Sequence, residues 1–296
     1  MAILCVPAFA LQTQQVTESV YALVGDTGPR TLENLGSNNT VGFVITDKGV
    51  VLIGSGAMPA GAKIIEQSIQ AVTQQPIRWV INIGSQDHHW LGNNYFANKG
   101  VEIIALTRTV KSQKEHVNDH LSRLEQVVHG QINTVQPLYA TTVYDSDKKT
   151  FKLGGTEFKL IWPGNGHFSG DAVLWLPKTK TVFTGDFVFL DRMLGIHPFS
   201  PVKQWQASVH KIAQLKPTHV IPGHGKAANW QKAKLETVDY LDYLVIGVSA
   251  GLEEWLELGE VTDQLGKAPQ FKHLDNFDGW HRRNISRTYL QLEAAQ

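Results

Sequence analysis

Two periodicities alternate along the chain. Ser19 to Val24 and Val41 to Ile53 are rich in β-branched residues, and Asp47-Lys48-Gly49 supplies a hairpin turn within the second run, so the opening reads as antiparallel strands. Ala60 to Val72 carries apolar residues at helical spacing, and Ile77 to Ile83 is strand-like again. A short helix is expected over Gly92 to Asn98, a strand over Val101 to Leu106 and a long polar helix over Thr107 to Val128. Tyr144 to Trp162 predicts two strands around Gly154-Gly155, and Ala172 to Leu176 with Thr181 to Thr184 a further hairpin pair. From Trp230 the pattern is mostly helical, ending in Trp280 to Leu292 with Asp278 as an expected N-cap. With no internal repeat, low-complexity linker or composition break, this predicts one α/β domain of two packed sheets with outer helices.

Composition narrows the function classes. The 296 residues are 42% apolar, enough to bury a substantial core. Lys+Arg and Asp+Glu both number 27, so charge gives no whole-chain case for nucleic acid or an anionic membrane surface. No run approaches the ~18 apolar residues a membrane span needs. Cys5 is the only cysteine, which excludes an internal disulfide and a thiolate cluster; any metal must be held by His and carboxylate groups. Residues 1–10 are apolar and close on Ala8-Phe9-Ala10, the small-x-small pattern of a signal-peptidase site without a basic n-region. They are read as the remnant of a truncated signal peptide, with a mature domain over 11–296 and a periplasmic or secreted location.

Candidate chemistry sits where the strand runs stop. Gly84 to Asn93 (GSQDHHWLGN) presents His88 and His89 at a turn before the apolar Trp90-Leu91 step. Gly164 to Asp171, Thr184-Gly185-Asp186 and Ile221 to Gly225 add His167, Asp186 and His224 on glycine-flanked loops. Neutral imidazole is the commonest metal ligand, and three imidazoles with a carboxylate make a plausible tetrahedral set for zinc, also suited to iron. Taken singly, such residues are as simply exposed loop histidines and a turn aspartate bonded to its own backbone. His116 and His120 lie four apart on a polar helix, where a solvated face is expected. Trp162, Trp175, Trp205, Trp230 and Trp255 are expected in or near the core, and Trp280 to Asn284 on a packed terminal helix with a charged face.

The order of these loops resembles the metallo-β-lactamase-fold hydrolase superfamily over nearly the whole chain, Val20 to Glu293. That family has an aspartate-threonine-glycine turn, then H-x-H-x-D-H, a G-H-x-x-G-D loop, a T-G-D turn and a P-G-H-G loop; the last three stand here as GHFSGD, TGD and PGHG. HWLGN and the C-terminal NFDGWHRRNISRTYLQLE resemble the branch associated with quinoprotein relay systems and related periplasmic hydrolases, which makes a quinoprotein-related partner an expectation of the resemblance alone. The resemblance implies a four-layer αββα sandwich.

It also locates departures. Gly84 and Gln86 stand where the family has its first two histidines, His88 where it has aspartate, and Gly54 where the first turn has its aspartate. The family's first metal, which would also use His167, has thus lost most of its ligands. The second set survives as His88, His89 and His224 with Asp186, although the longer His88 imidazole can turn towards His167. The resemblance therefore implies one zinc ion, or iron, and no second metal. It implies hydrolysis of an ester, amide, lactam or phosphoester, with Asp186 orienting water and Gln86 or His167 hydrogen-bonding the developing oxyanion. The rival expectation is a catalytically silent periplasmic binding protein that kept the fold.

Overall fold

The computed structural model describes residues 11–296; the signal-peptide reading of residues 1–10, Cys5 included, lies outside them. Seven strands form the first sheet in sequence order: β1 (Gln12–Gln15), β2 (Val20–Val24), β3 (Val41–Thr46), β4 (Gly49–Ile53), β5 (Ile77–Ile81), β6 (Glu102–Leu106) and β7 (Thr142–Tyr144). Pairing is antiparallel through β4 and parallel from β4 to β7. The parallel half requires crossovers, supplied by α1 (Pro59–Gln70), α2 (Asn93–Ala97) and α3 (Thr107–Val128). The second sheet runs β12-β11-β10-β9-β8, from β8 (Lys148–Leu153), β9 (Thr156–Ile161), β10 (Val173–Leu176), β11 (Thr181–Phe189) and β12 (His219–His224). Only its β11–β12 pair is parallel, bridged by α4 (Val202–Ala213). Beyond it come α5 (Trp230–Ala233), a π-helical turn, α6 (Asp239–Glu253), α7 (Leu258–Leu265) and α8 (Phe277–Glu293).

Strand alternation sorts the core into layers. In β4, Val51 and Ile53 join Val20, Ile81 and Ile104 against Phe158, Leu174, Phe183 and Ile221 of the second sheet. Their neighbours Val50 and Leu52 face the other way, onto Ile65, Ile69 and Phe96 of α1 and α2. The outer face of the second sheet is covered by Trp205, Tyr240, Leu244, Ile285 and others from α4, α6 and α8. This is the expected αββα sandwich; β4 and β11 are buried on both faces, which is why β4 reads as a continuous apolar run. The sheets are also tied by polar bonds across long sequence spans. Thr40 donates from N to Gly223 O and from Oγ1 to Gly225 O, both at 2.7 Å, and Gln14 bonds reciprocally with the Ala227 backbone.

Several local expectations need correction. Trp255 is 91% exposed, at a helix end with positive φ, rather than near the core. The last helix starts at Phe277 behind Asn276, with no side-chain cap from Asp278. His120 is buried against Phe168 instead of facing solvent, because α3 lies on the loop carrying His167 and Phe168, and neither of its ring nitrogens has a partner.

Candidate metal centre

The β5 strand ends at Ile81, and the chain turns through Gly84 into a single 3₁₀ turn, Asp87–His89, that carries both histidines inward. The turn is held from three sides. Ser55 N donates to His89 O at 3.0 Å, Asn39 Nδ2 to His88 O at 3.2 Å, and Asp87 Oδ1 accepts from His88 N at 2.8 Å. Asp87 Oδ2 accepts from Arg30 Nη2 at 2.8 Å. Burial alone would raise the Asp87 carboxyl, but Arg30, His120 and His88 outweigh it and hold it down to about 2. Sequence reasoning missed Asp87; its signal was a carboxylate between Gln86 and the histidine pair.

Asp186 lies within β11, where the register against β12 shifts on both sides of Gly185. A bulge of this kind re-aims a side chain, and here it turns the carboxylate into the histidine cluster. Gly223 on β12 permits the approach, since a Cβ there would lie 2.2 Å from Asp186 Oδ1. His224 closes β12, and His167 comes from the loop between β9 and β10.

All four imidazoles address this one carboxylate. His89 Nε2 and His224 Nε2 lie 3.1 and 3.5 Å from Oδ1, while His88 Nε2 and His167 Nδ1 lie 3.3 and 3.7 Å from Oδ2. His167 therefore stands beside the surviving set rather than apart from it, and His88 reaches the same oxygen as His167. His224 Nδ1 donates to Asn38 O at 2.8 Å, which leaves its Nε2 lone pair facing Asp186. Burial, opposed by Asp186, holds His88 and His167 down to about 4 and His224 well below its ordinary value. These rings are neutral at pH 7, the form that binds metals. For His89 burial is outweighed by the Asp186 carboxylate, so its pKa is raised, and that of Asp186 falls well below the carboxylate range despite its own burial.

A cation fits this arrangement on the chain's own polar inventory. His89 Nε2 and Asp186 Oδ1 face each other at 3.1 Å outside good hydrogen-bond geometry, His167 Nδ1 is buried with no partner among the described residues, and buried polar atoms seldom go unsatisfied. Ligand atoms of His88, His89 and Asp186 all lie within 4.8 Å of one another. Gly84 explains the missing first ligand position: a Cβ there would lie 2.3 Å from His89 Cδ2, so the His89 ring occupies the space a side chain would need. Gly54 likewise contributes only backbone, donating from N to Ile81 O. Asp171 of the GHFSGD loop has both oxygens engaged by the backbone, accepting from Ser85 N and Phe168 N, and burial followed by Asp186 pushes it up to about 7.

The cluster opens into a cavity of about 330 Å³, lined by Gln86, His88, His167 and His224 of the predicted set. His89 and Asp186 lie behind them. Its other walls include Arg30, Arg123, Arg192, His197 and Trp280, none of which sequence reasoning assigned to a site; they come from loops and helices far apart in the chain.

Relatives share this framework. A type 2 metallo-beta-lactamase of Elizabethkingia meningoseptica is 26% identical over 189 residues, 62% of this chain and 67% of its own. The 2,4-dinitroanisole O-demethylase subunit alpha of a Nocardioides species is 24% identical over 180 residues, covering 60% of this chain and 50% of that one. Among solved structures, a metallo-beta-lactamase from Pontibacter korlensis superimposes with a TM-score of 0.63 at 20% identity, over 78% of this chain and 99% of its own. A variant of the sec-alkyl sulfatase PisA1 gives 0.72 at 14% identity, over 95% of this chain and 50% of that one. The family model matches residues 35–224, from the loop before β3 to His224 itself, and by that match the chain belongs to the metallo-beta-lactamase superfamily.

Proposed function

We propose that this chain is a hydrolase with one zinc ion, held against Asp186 by histidines from the set His88, His89, His167 and His224. The observation that carries this reading is the convergence of four buried imidazoles on one buried carboxylate, each with a ring nitrogen within 3.7 Å of its oxygens. When bound, the cation supplies Lewis acidity, stabilising negative charge on oxygen at neutral pH. Asp186 would orient a water at the cluster through a hydrogen bond to its carboxylate. Gln86 stands at the cavity wall with its amide free to donate to an oxyanion, and His224 is kept in its binding tautomer by Asn38 O. Substrates are sought among esters, amides or lactams, and phosphoesters; the sec-alkyl sulfatase of like fold adds sulfate esters to that range.

A silent binding protein is the second reading, favoured by the His89 ring lying where the family's first ligand would stand. Elemental analysis of purified protein, before and after zinc reloading, separates the two. About one zinc per chain, lost in His89→Ala and His224→Ala, supports the hydrolase and leads to the ester, lactam and phosphoester screen. No zinc above background after reloading overturns it.

A further inference from the structure

The chain as a whole is charge-balanced, but its cavity is not. Three arginines, Arg30, Arg123 and Arg192, line it, and no Asp or Glu side chain among the described residues does. Two of the three are already committed: Arg30 to Asp87 at 2.8 Å and Arg123 to Asp119 at 2.9 Å on the exposed rim. Arg192 differs from both. It is 8% exposed, its Nη1 reaches only the Gly28 carbonyl at 3.3 Å, and its Nε is buried with no acceptor. Among the described residues no carboxylate lies within 4.0 Å of it. A buried guanidinium with an unmatched N–H is costly, and an anionic oxygen brought by a ligand removes that cost through a charge-assisted bond. On the same cavity the Trp280 ring packs on Gly195 so closely that a Cβ there would touch it at 2.9 Å, giving the cavity a fixed apolar wall.

We propose that the cavity binds an organic anion, its oxyanion received by Arg192 and its carbon skeleton lying on Trp280. Which bond reacts rests on the hydrolase reading above; the anion site does not. Arg192, Trp280 and three of the cluster histidines line one cavity of about 330 Å³, a volume suited to a small aryl or alkyl anion that meets both the guanidinium and the imidazoles.

The test is calorimetric titration of the full chain with phenylphosphonate and with benzyl alcohol as its uncharged counterpart. Both chelator-treated and zinc-reloaded protein are used. Phenylphosphonate is expected to bind the metal-free wild type and to weaken about tenfold or more in Arg192→Gln, while the rim change Arg123→Gln costs about threefold or less. Benzyl alcohol binding is expected to be unaffected by Arg192→Gln. Should that variant not fold, Arg192→Lys keeps the charge but loses the fork, and a loss between about threefold and tenfold is expected. Equal phenylphosphonate affinity in wild type and in either Arg192 variant overturns the proposal, as does binding that requires zinc, since the anion then sits on the metal. A chain that takes up no zinc yet binds phenylphosphonate through Arg192 loses the hydrolase reading and keeps this one.

Discussion

Adding one methyl group at Gly84 tests the geometry of the centre. The backbone there does not require glycine by its φ, so Gly84→Ala would ordinarily stabilise by about 0.4–1 kcal/mol through a less flexible unfolded chain. Against that, the new Cβ would lie 2.3 Å from His89 Cδ2, 2.5 Å from Cγ and 2.9 Å from its Cβ. Ordinary contact begins near 3.4 Å, so the ring must retreat by roughly 1 Å, with an overpacking cost of about 1–3 kcal/mol. The clash exceeds the entropic gain. The net loss of about 1–2 kcal/mol corresponds to a melting temperature lowered by roughly 2–8 °C in a chain of this size. The retreat also draws Nε2 away from Asp186, now 3.1 Å distant, and zinc affinity should fall about 10–100-fold. Thermal unfolding and competitive zinc titration measure the two effects, and a double-mutant cycle with His89→Ala isolates their cause. Without the ring only the 2.9 Å contact with the Cβ of residue 89 remains, so the Gly84→Ala penalty should shrink to less than half. An alanine variant as stable and as zinc-avid as the wild type would refute the argument, as would a penalty of undiminished size in the His89→Ala background.

Other consequences are open to simpler measurements. Asp87 has a folded pKa of about 2 against an ordinary 3.8, so its share of stability, about 2 kcal/mol, is complete above pH 4 and is lost as pH falls towards 2. Arg30→Met leaves that carboxylate buried and unpaired, with an expected cost of about 3–5 kcal/mol at pH 7 and acid unfolding that begins at higher pH; an unchanged acid limb in urea titrations contradicts this. His120 buries two unpartnered nitrogens, so His120→Leu should be neutral or raise stability by about 1 kcal/mol, and a clear loss in urea denaturation would show that the ring has a bonding partner in solution. Metal-free protein should gain stability from the raised His89 pKa below pH 6.5 and lose that share as pH rises through the folded value, whereas zinc-loaded protein should show the opposite slope because the ligand must be unprotonated.

The elements that could be read from the chain were those with one dominant period or a glycine-marked turn. The α3 helix spans the residues its pattern indicated, and the β3–β4 hairpin turns at Asp47-Lys48. Polar β1 escaped notice because its burial is slight and its pairing with β2 supplies most of its order; the three-residue β7 was too short to show a period. The ligand candidates were legible because the GHFSGD, TGD and PGHG loops follow one another in the order of the family pattern; singly they read as loop histidines and a turn aspartate. Arg192, Trp280 and His197 were not, because each meets the cavity only after the C-terminal helices pack on the second sheet. His88 shows the limit most clearly: its residue type was visible, but its distance to Asp186 depends on a bulge 98 residues later.

The bonds from Thr40 to Gly223 and Gly225 have a kinetic consequence. They close a loop of 185 residues, and Asn38 O in the same segment sets the His224 tautomer across 186. Closing loops this long is paid in entropy before any contact rewards it, which slows folding. The ligands therefore meet late, after both sheets have formed and docked. A metal ion present during refolding should leave the main folding rate little changed and should slow unfolding instead, acting as a latch on an assembled centre rather than as a nucleus for it.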